Sequence, residues 1–306
     1  MFQHLLVPLD GSRMAEAALP VAVSMARSFA SRVTLFHAIE KDAPREIHGE
    51  RQLGRPGDAR DYLSAVASRA FPVGICVDTH VHEGPEGNVP VCIVDHVRDL
   101  KVDMIVMCTH GRGGLRAFMF GPIAQQAAAL GTVPVVFVQP SEAEGDWKFD
   151  CRRIIVPLDG NGEHEQGLHV AENVGRVYGA ELHLVMVVHT VRTLPGENAA
   201  TARMLPRTAA ALLELARQDA VEYLGSHVRR LESVGIRVTI AVLRGDPITA
   251  LADTVESVKA DLIVLGTHGK TGLEAFWSRS ATPHLSRKIR IPFLLVPVHG
   301  KNLQSR

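Results

Sequence analysis

Ten short apolar runs alternate with amphipathic stretches along the chain. The runs lie near 3–9, 32–39, 74–82, 103–108 and 133–138, and again near 152–158, 181–189, 236–243, 261–266 and 292–297. They are rich in Val, Ile and Leu and nearly continuous, as in strands that are buried on both faces. The stretches between them have helical spacing, for example at 15–30, 59–70, 91–100 and 209–234. This alternation predicts the α/β class, with two tandem doubly wound domains that each contain a five-stranded parallel sheet.

The two halves of the chain are copies of one unit. Val7-Pro8-Leu9-Asp10-Gly11 recurs 149 residues later as Val156-Pro157-Leu158-Asp159-Gly160, and the stretch 103–111 recurs 158 residues later as 261–269. The offset changes because the second copy gains 12 residues between its second and third strands and loses 3 before its fourth. We predict a first copy at 1–140, a polar linker at 141–150 and a second copy at 151–299.

Composition excludes several classes of protein. Lys+Arg and Asp+Glu both total 33, so no basic excess favours nucleic acid. No apolar run approaches the roughly 20 residues that span a bilayer, and the first residues lack the features of a signal peptide. We therefore expect a cytoplasmic protein that binds neither nucleic acid nor membrane. The spacing of the four cysteines fits neither a zinc site nor a disulfide framework, which predicts buried free thiols.

Parallel sheets of this kind bind ligands beyond the carboxyl ends of their strands, where strand order reverses. Asp10 and Asp159 directly follow the first strand of each copy. A carboxylate there can accept hydrogen bonds from a ribose or a base. The alternative is a turn or helix-capping residue, because Asp-Gly is common in turns.

The fourth strand of each copy ends in Thr-His-Gly, followed by a glycine-bearing loop. Such a loop can turn backbone N–H groups toward a phosphate, and the following helix N-terminus favours negative charge. A plain strand-to-helix turn is the alternative, and His110 and His268 either donate to phosphate or shape that turn. The loop is not a P-loop, because Val264 occupies the position where that motif requires its first glycine.

Metal binding and catalysis have weaker support. His80 and His82 lie on one face if their strand is regular, so a metal pair is conceivable, but solvated or hydrogen-bonded histidines are the default and we predict no metal. No set of nucleophile, base and orienting residue emerges: Ser12 follows Asp10, whereas Asn161 follows Asp159. We predict no catalytic residue.

Val-Pro-Leu-Asp-Gly, Gly-Asp-Pro at 245–247, the Thr-His-Gly loop and the closing Val-Pro-Val strand together resemble the universal stress protein family. The resemblance covers nearly the whole chain. It implies the strand order 3-2-1-4-5 in each copy and pairing through the last strand, so that 133–138 and 292–297 form an internal pseudo-dimer. ATP-binding members of the family carry Gly-x-x-Gly, nine residues, then Gly-Ser or Gly-Thr.

Neither copy matches that motif completely. The second copy has Gly266 and Gly269, then Arg279 and Ser280, so that only one glycine is replaced. The first copy has Cys108 and Gly111, then Gly121 and Pro122. The resemblance implies nucleotide-binding positions in the second copy at Pro157, Asp159, Val187, Gly266, His268, Gly269, Lys270, Gly272, Arg279 and Ser280. It implies a weaker first site at Pro8, Asp10, Ala38, His110, Gly111 and Gly121.

The expected function is a stress-response or regulatory module that binds ATP or a related adenine nucleotide, with Mg²⁺ as an optional companion. Its nucleotide state would adjust contacts with an unidentified protein partner or a second copy of the chain. Two alternatives remain: a nucleotide-free interaction module with decayed loops, and an enzyme, a slow ATPase. The region 193–234 has no counterpart of equal length in the first copy and predicts a lid, a dimer surface or a tolerated insertion.

Overall fold

The computed structural model describes residues 1–41, 46–47, 50–51, 53–109, 122–130, 132–140, 148–162, 165–194, 196–268 and 289–298. The strands in this part of the chain are β1 (His4–Pro8), β2 (Arg32–Glu40), β3 (Glu46–Ile47), β4 (Glu50–Arg51), β5 (Val77–Glu86), β6 (Met104–Cys108), β7 (Val135–Val138), β8 (Arg153–Leu158), β9 (Glu181–Val188), β10 (Val238–Arg244), β11 (Leu262–His268) and β12 (Phe293–Val298). The helices are α1 (Arg13–Glu16), α2 (Leu19–Phe29), α3 (Pro56–Ala70), α4 (Val89–Asp99), α5 (Pro122–Leu130), α6 (Gln166–Tyr178), α7 (Gly196–Met204), α8 (Pro206–Ser233) and α9 (Pro247–Val258).

Ten of these strands form one sheet, in the order β10-β9-β8-β11-β12-β7-β6-β1-β2-β5. Within each copy the order is the predicted 3-2-1-4-5, and neighbouring strands are parallel. The prediction of two doubly wound α/β units is confirmed. The remaining two strands, β3 and β4, pair as a short antiparallel hairpin between β2 and α3.

The two copies join through their fifth strands, as the predicted pairing of 133–138 with 292–297 requires. β7 and β12 run antiparallel, with Phe137 opposite Phe293 and Val136 opposite Leu294. Val136 and Leu294 are equivalent positions, 158 residues apart, so the copies are related by an approximate twofold axis through this pair. Each fifth strand thereby covers the edge that the other would expose.

Helices cover both faces of the sheet. On one face, a core that draws residues from both copies packs α2, α3, α6 and α8 against the strands. On the other face, a second core packs α4, α5 and α9. The copies also meet between α2 and α6, where the Ser24 and Tyr178 hydroxyls lie 3.0 Å apart and the Phe29 and Tyr178 rings make an edge contact.

Equivalent helices begin in equivalent ways. The side chain of Asn88 accepts a hydrogen bond from the Val91 N–H at the start of α4, and that of Asp246 accepts from the Thr249 N–H at the start of α9. Each helix has a proline in its first two positions, where the missing N–H has no helical partner to lose. The shared cap places the remaining positions of α4 and α9 in register, 158 residues apart.

The structure corrects several sequence-based details. The single helix predicted at 15–30 is two helices, α1 and α2, separated by a short turn. The third strand starts at Val77 instead of 74, because Gly74 turns the chain with φ +103°. The long region contains an additional helix, α7, from Gly196, and the helix predicted at 209–234 begins earlier, at Pro206. Cys76 is exposed, whereas the prediction of buried thiols holds for Cys92, Cys108 and Cys151.

Among the helices of the described part of the chain, none combines the length and the hydrophobicity that crossing a bilayer requires.

Candidate functional site

In each copy the strand order reverses between the first and fourth strands, β1 and β6 in the first copy and β8 and β11 in the second. Asp159 directly follows β8, and Asp10 follows β1 after one intervening residue. Gly266 and His268 lie at the end of β11. Asp159, Gly266 and His268 therefore meet at the carboxyl ends of β8 and β11, beside the ligand-binding crevice of doubly wound folds. Asp10 has the equivalent place in the first copy, at the opposite end of the sheet, because β7 and β12 run antiparallel. The predicted positions that fall outside the described residues are His110, Gly111, Gly121, Gly269, Lys270, Gly272, Arg279 and Ser280.

In the first copy, the turn after β1 is built around Asp10. Its Oδ1 accepts hydrogen bonds from the Ser12 backbone N–H at 2.9 Å and from the Ser12 hydroxyl at 2.6 Å. The Ser12 oxygen in turn accepts from the Ala15 N–H at 3.2 Å and caps α1. Gly11 has φ +91°, a conformation that side chains disfavour. One oxygen of Asp10 thus serves the turn, as the structural alternative predicts.

The chain before α3 folds back over this turn. A Cβ on Gly11 would lie 2.9 Å from Leu53 Cδ1. The buried His37 ring holds the segment in place, with Nδ1 2.7 Å from the Leu9 carbonyl oxygen and Nε2 3.1 Å from that of Leu53. Leu53 therefore covers the first copy's turn, and Asp10 is only half-buried at its edge.

The second copy keeps the turn and has a different neighbour over its glycine. Oδ1 of Asp159 accepts from the Asn161 N–H at 2.9 Å, and Gly160 has φ +81°. Met186 stands at the position of His37, and its methyl carbon lies 3.1 Å from where a Cβ of Gly160 would be. Asp159 is exposed. The carboxylate of the second copy is therefore more accessible to a ligand than that of the first.

The predicted positions on the second strands also differ in their neighbours. Ala38 pairs with His82 across β2 and β5, whereas Val187 pairs with Leu243 across β9 and β10. Both Ala38 and Val187 are partly buried against the core beneath α4, α5 and α9. The second copy therefore offers an apolar wall at this position, and the first copy offers an imidazole.

A tyrosine–glutamate hydrogen bond occurs in both copies. The Tyr62 hydroxyl donates to Glu16 Oε1 at 3.0 Å, and the Tyr223 hydroxyl donates to Glu165 Oε1 at 2.8 Å. Burial first, and then the carboxylates of Glu16 and Asp10, raise the pKa of Tyr62. Burial first, and then Glu165 and Asp159, raise the pKa of Tyr223. Both phenols therefore remain donors.

Sequence reasoning missed these pairs, although the repeat carried the signal. Glu16 and Glu165 are 149 residues apart, and Tyr62 and Tyr223 are 161 apart, which are the offsets of the flanking blocks. The second copy adds His227 at the position of Val66. Its Nε2 lies 3.2 Å from Glu165 Oε1, a distance typical of an ion pair. The angle between the two groups, however, does not satisfy hydrogen-bond geometry.

Gly266 has a packing role of its own. A Cβ on Gly167, in α6, would lie 2.7 Å from the Gly266 nitrogen and 3.2 Å from its Cα. Helix and strand therefore approach more closely than side chains allow. The first copy has Ala18 and Cys108 at the equivalent positions, so this close approach belongs to the second copy.

A cleft of about 660 Å³ lies between the two copies, and Arg13 and Glu16 of α1, next to the first copy's turn, form part of its lining. Gln139, Asp261 and Arg290 are among the residues that line it, and it opens beside the amino ends of β11 and β12. Ligands of doubly wound sheets bind at the carboxyl ends of the strands. The cleft is therefore separate from the predicted site of the second copy, whereas it adjoins the carboxyl end of β7 and the helix that follows the first copy's turn.

Comparison with known proteins agrees with this architecture. The sequence model of the family described as "Universal stress protein family" matches residues 1–139 and 151–297. A universal stress protein of Methanocaldococcus jannaschii is 29% identical over 145 residues, which are 47% of this chain and 81% of that protein. The universal stress protein E homolog of Haemophilus influenzae is 26% identical over 213 residues, which are 64% of this chain and 62% of that protein.

A solved universal stress protein from Archaeoglobus fulgidus has the same fold over both copies. It superposes with a TM-score of 0.67 at 17% identity and covers 98% of this chain and 97% of its own. Because the family match spans both halves, and the strand order and first-strand turn recur in each, this chain belongs to the universal stress protein family.

Proposed function

We propose that the second copy binds ATP or a related adenine nucleotide in a stress-response or regulatory role. One observation carries the proposal: the exposed Asp159 and the Gly266–His268 strand end lie on the two strands between which the order reverses. Doubly wound sheets bind nucleotides at this point. The role in stress response follows from membership of the family.

Each predicted residue has a place in this proposal. Pro157, Asp159 and Val187 contact the adenosine part, with Asp159 accepting from a ribose hydroxyl or the base. The residues of the loop after β11 hold the phosphates, and Mg²⁺ accompanies the phosphates where it binds. Those loop residues are Gly266, His268, Gly269, Lys270, Gly272, Arg279 and Ser280.

The first copy is the weaker site. Leu53 covers its turn, and the hydroxyl of Ser12 occupies Oδ1 of Asp10 in addition to the backbone N–H. Its loop keeps two of the four family positions, whereas the second copy keeps three. These differences favour one nucleotide per chain.

The bound nucleotide would adjust contacts with a protein partner. The region 193–234 remains a candidate lid or contact surface, and it presents exposed apolar side chains along α7 and α8. Those side chains are Met204, Leu205, Leu212 and Leu215.

Calorimetry with ATP on the full chain tests the proposal, after the purified protein has been assayed for co-purified nucleotide. Asp159→Asn keeps an oxygen that can accept from the Asn161 N–H but removes the charge. Loss of a charge-assisted hydrogen bond predicts an affinity about 10- to 100-fold lower. The matched Asp10→Asn should leave the affinity near that of the wild type.

A second pair of variants tests the loops by steric exclusion. Gly269→Trp should abolish ATP binding, and Gly111→Trp should not. Loss of binding in both variants would indicate two working or coupled sites. If the wild type binds no ATP and carries no nucleotide, the proposal fails and the nucleotide-free interaction module takes its place. Turnover well above background that Asp159→Asn removes would instead favour the slow ATPase.

A further inference from the structure

Three potential metal ligands meet at the outer edge of the first copy. His82 lies on β5, the edge strand of the sheet, and Cys92 and His96 lie on α4. One ligand atom from each, an imidazole nitrogen or the thiol sulfur, lies within 4.8 Å of those of the other two. Cys92 is buried, and the two histidines are partly buried.

The fold explains how these residues meet. Cys92 and His96 are four residues apart and therefore share one face of α4. His80 and His82 are two residues apart and share one face of β5. The His96 ring closes the group, since its centroid lies 4.9 Å from that of His80 and 5.1 Å from that of His82. His80 thus stands beside the other three as a fourth potential ligand.

The hydrogen bond of His96 prepares its ring for a metal. Nδ1 lies 2.8 Å from the Cys92 carbonyl oxygen, and because a carbonyl oxygen only accepts, Nδ1 must carry the proton. The lone pair then resides on Nε2. Histidine ligands commonly donate their other N–H to a carbonyl in this way, which fixes the tautomer and the ring orientation.

An aromatic ring covers one side of the group. The Phe36 ring stacks on His80 with centroids 5.8 Å apart and packs against His96 at 4.8 Å, so one side of the group is apolar.

The second copy shows that the fold does not require these residues. Strand register and the shared helix cap place Ala241, Leu243, Ala250 and Thr254 at the positions of His80, His82, Cys92 and His96. The Thr254 hydroxyl donates to the Ala250 carbonyl at 2.8 Å, which reproduces the local hydrogen bond of His96. Threonine has no second side-chain atom that could bind a metal, as the other ring nitrogen of His96 could. Since the same packing forms from small and apolar residues, the first copy's donor set calls for another explanation.

We propose that His82, Cys92 and His96, with His80 as a fourth ligand, bind one divalent transition-metal ion of the zinc type. Imidazole nitrogens with one thiolate suit Zn²⁺ in tetrahedral geometry, at about 2.0–2.3 Å from each ligand. The ligand atoms, now within 4.8 Å of one another, must draw closer when the metal binds. The Cys92 thiol gives its proton to solvent as the sulfur–metal bond forms. This site is independent of the proposed nucleotide site.

The test is a zinc titration of the full chain by calorimetry, after treatment with a chelator. The key variant is Cys92→Ala with His96→Thr, which installs the residues of the second copy and should therefore fold. We expect one Zn²⁺ per wild-type chain and an affinity at least about 100-fold lower in the double variant, because losing a ligand costs at least as much as losing an outer-shell partner. Cys76→Ser, at an exposed thiol, should bind as the wild type does.

The absorption spectrum of bound Co²⁺ distinguishes a metal ligand from a residue that only supports the fold. Co²⁺ bound by Cys92 should give a thiolate-to-cobalt charge-transfer band, which Cys92→Ser removes and Cys76→Ser leaves. Zinc should also raise the thermal unfolding midpoint of the wild type and not that of the double variant. Equal zinc affinity in the wild type and the double variant, or cobalt spectra without a thiolate band, would overturn the proposal.

Discussion

The two copies share a fold and differ at the edges where each would meet a ligand. In the first copy, Leu53 lies over the strand-end turn, and four potential metal ligands gather at the outer edge of the sheet. In the second, Asp159 is exposed and an apolar wall replaces the imidazoles. Both copies keep the Asp-Gly turn and the Tyr–Glu hydrogen bond. A duplicated fold can thus keep the same backbone and the same supporting contacts in both copies while the residues that would meet a ligand differ.

The largest expected effect concerns the strands that join the copies. Phe137 and Phe293 are fully buried and opposite each other. Phe137→Ala should lower the free energy of unfolding by about 3–5 kcal/mol, because it leaves a cavity in the core. Phe293→Ala should cost a similar amount, since the two rings are each other's partners across the strand pair and both are fully buried. Chemical denaturation measures both.

The exposed Val177→Ala is the control and should change stability by less than about 0.5 kcal/mol. A cost of Phe137→Ala no greater than that of the control would show that β7 and β12 do not hold the copies together.

The next largest effect on stability concerns the close approach of Gly167 to Gly266, which belongs to the second copy. Gly167→Ala should destabilise the chain by about 1–3 kcal/mol, because its methyl group would collide with the backbone of Gly266. Gly225→Ala is the matched change in α8, where a Cβ meets only the Arg229 side chain at 3.7 Å. It should stabilise the chain by about 0.5–1 kcal/mol. Thermal unfolding of the two variants should therefore move in opposite directions, and a stabilising Gly167→Ala would contradict the close approach.

A smaller effect compares the two Tyr–Glu hydrogen bonds. Tyr62→Phe and Tyr223→Phe should each cost about 0.5–1.5 kcal/mol. The cost should be greater for Tyr223. Glu16 keeps a hydrogen bond from Arg69, whereas the contact that Glu165 keeps within the described residues is the one from His227, which does not have hydrogen-bond geometry. Denaturant titration of both variants measures the difference. A larger loss for Tyr62→Phe would reverse this order.

The smallest effect is a pH dependence of the first copy. His4 is buried, and burial first, then the Arg32 charge, lowers its pKa below the usual 6.5. The unfolded chain therefore binds a proton at a higher pH than the folded chain, so stability should fall as the pH drops from about 7.5 to about 5.5. The second copy has Arg153 at this position and no such dependence there.

His4→Gln should reduce the slope of stability against pH, measured by thermal unfolding with chelator present. Part of the slope should remain, because burial also lowers the pKa of His80 and His183. An unchanged slope would assign the effect to other groups.

Repetition made the fold predictable from the sequence. Each apolar run could be checked against its counterpart, and the family resemblance supplied the strand order and the pairing of β7 with β12. Local detail was less accessible. The break between α1 and α2 and the helix α7 depend on packing that apolar spacing does not record.

The candidate sites were predictable only where chemistry is local in sequence. Asp159 was found because it directly follows a strand. Its exposure, and the cover that Leu53 provides in the first copy, depend on segments distant in sequence. His80 and His82 were noticed as a pair, but Cys92 and His96 join them only through the crossover from β5 to α4. The phosphate-loop assignments stay predictions.

The antiparallel pairing of β7 with β12 within one chain also determines how the assembly depends on protein concentration. Two separate chains that paired in this way would come apart on dilution. Here both strands belong to one chain, which holds the partners at an effective concentration in the millimolar range, so the pairing is insensitive to how much protein the cell makes. Any larger assembly must then form through other surfaces, and each chain always presents its two unlike edges in a ratio of one to one.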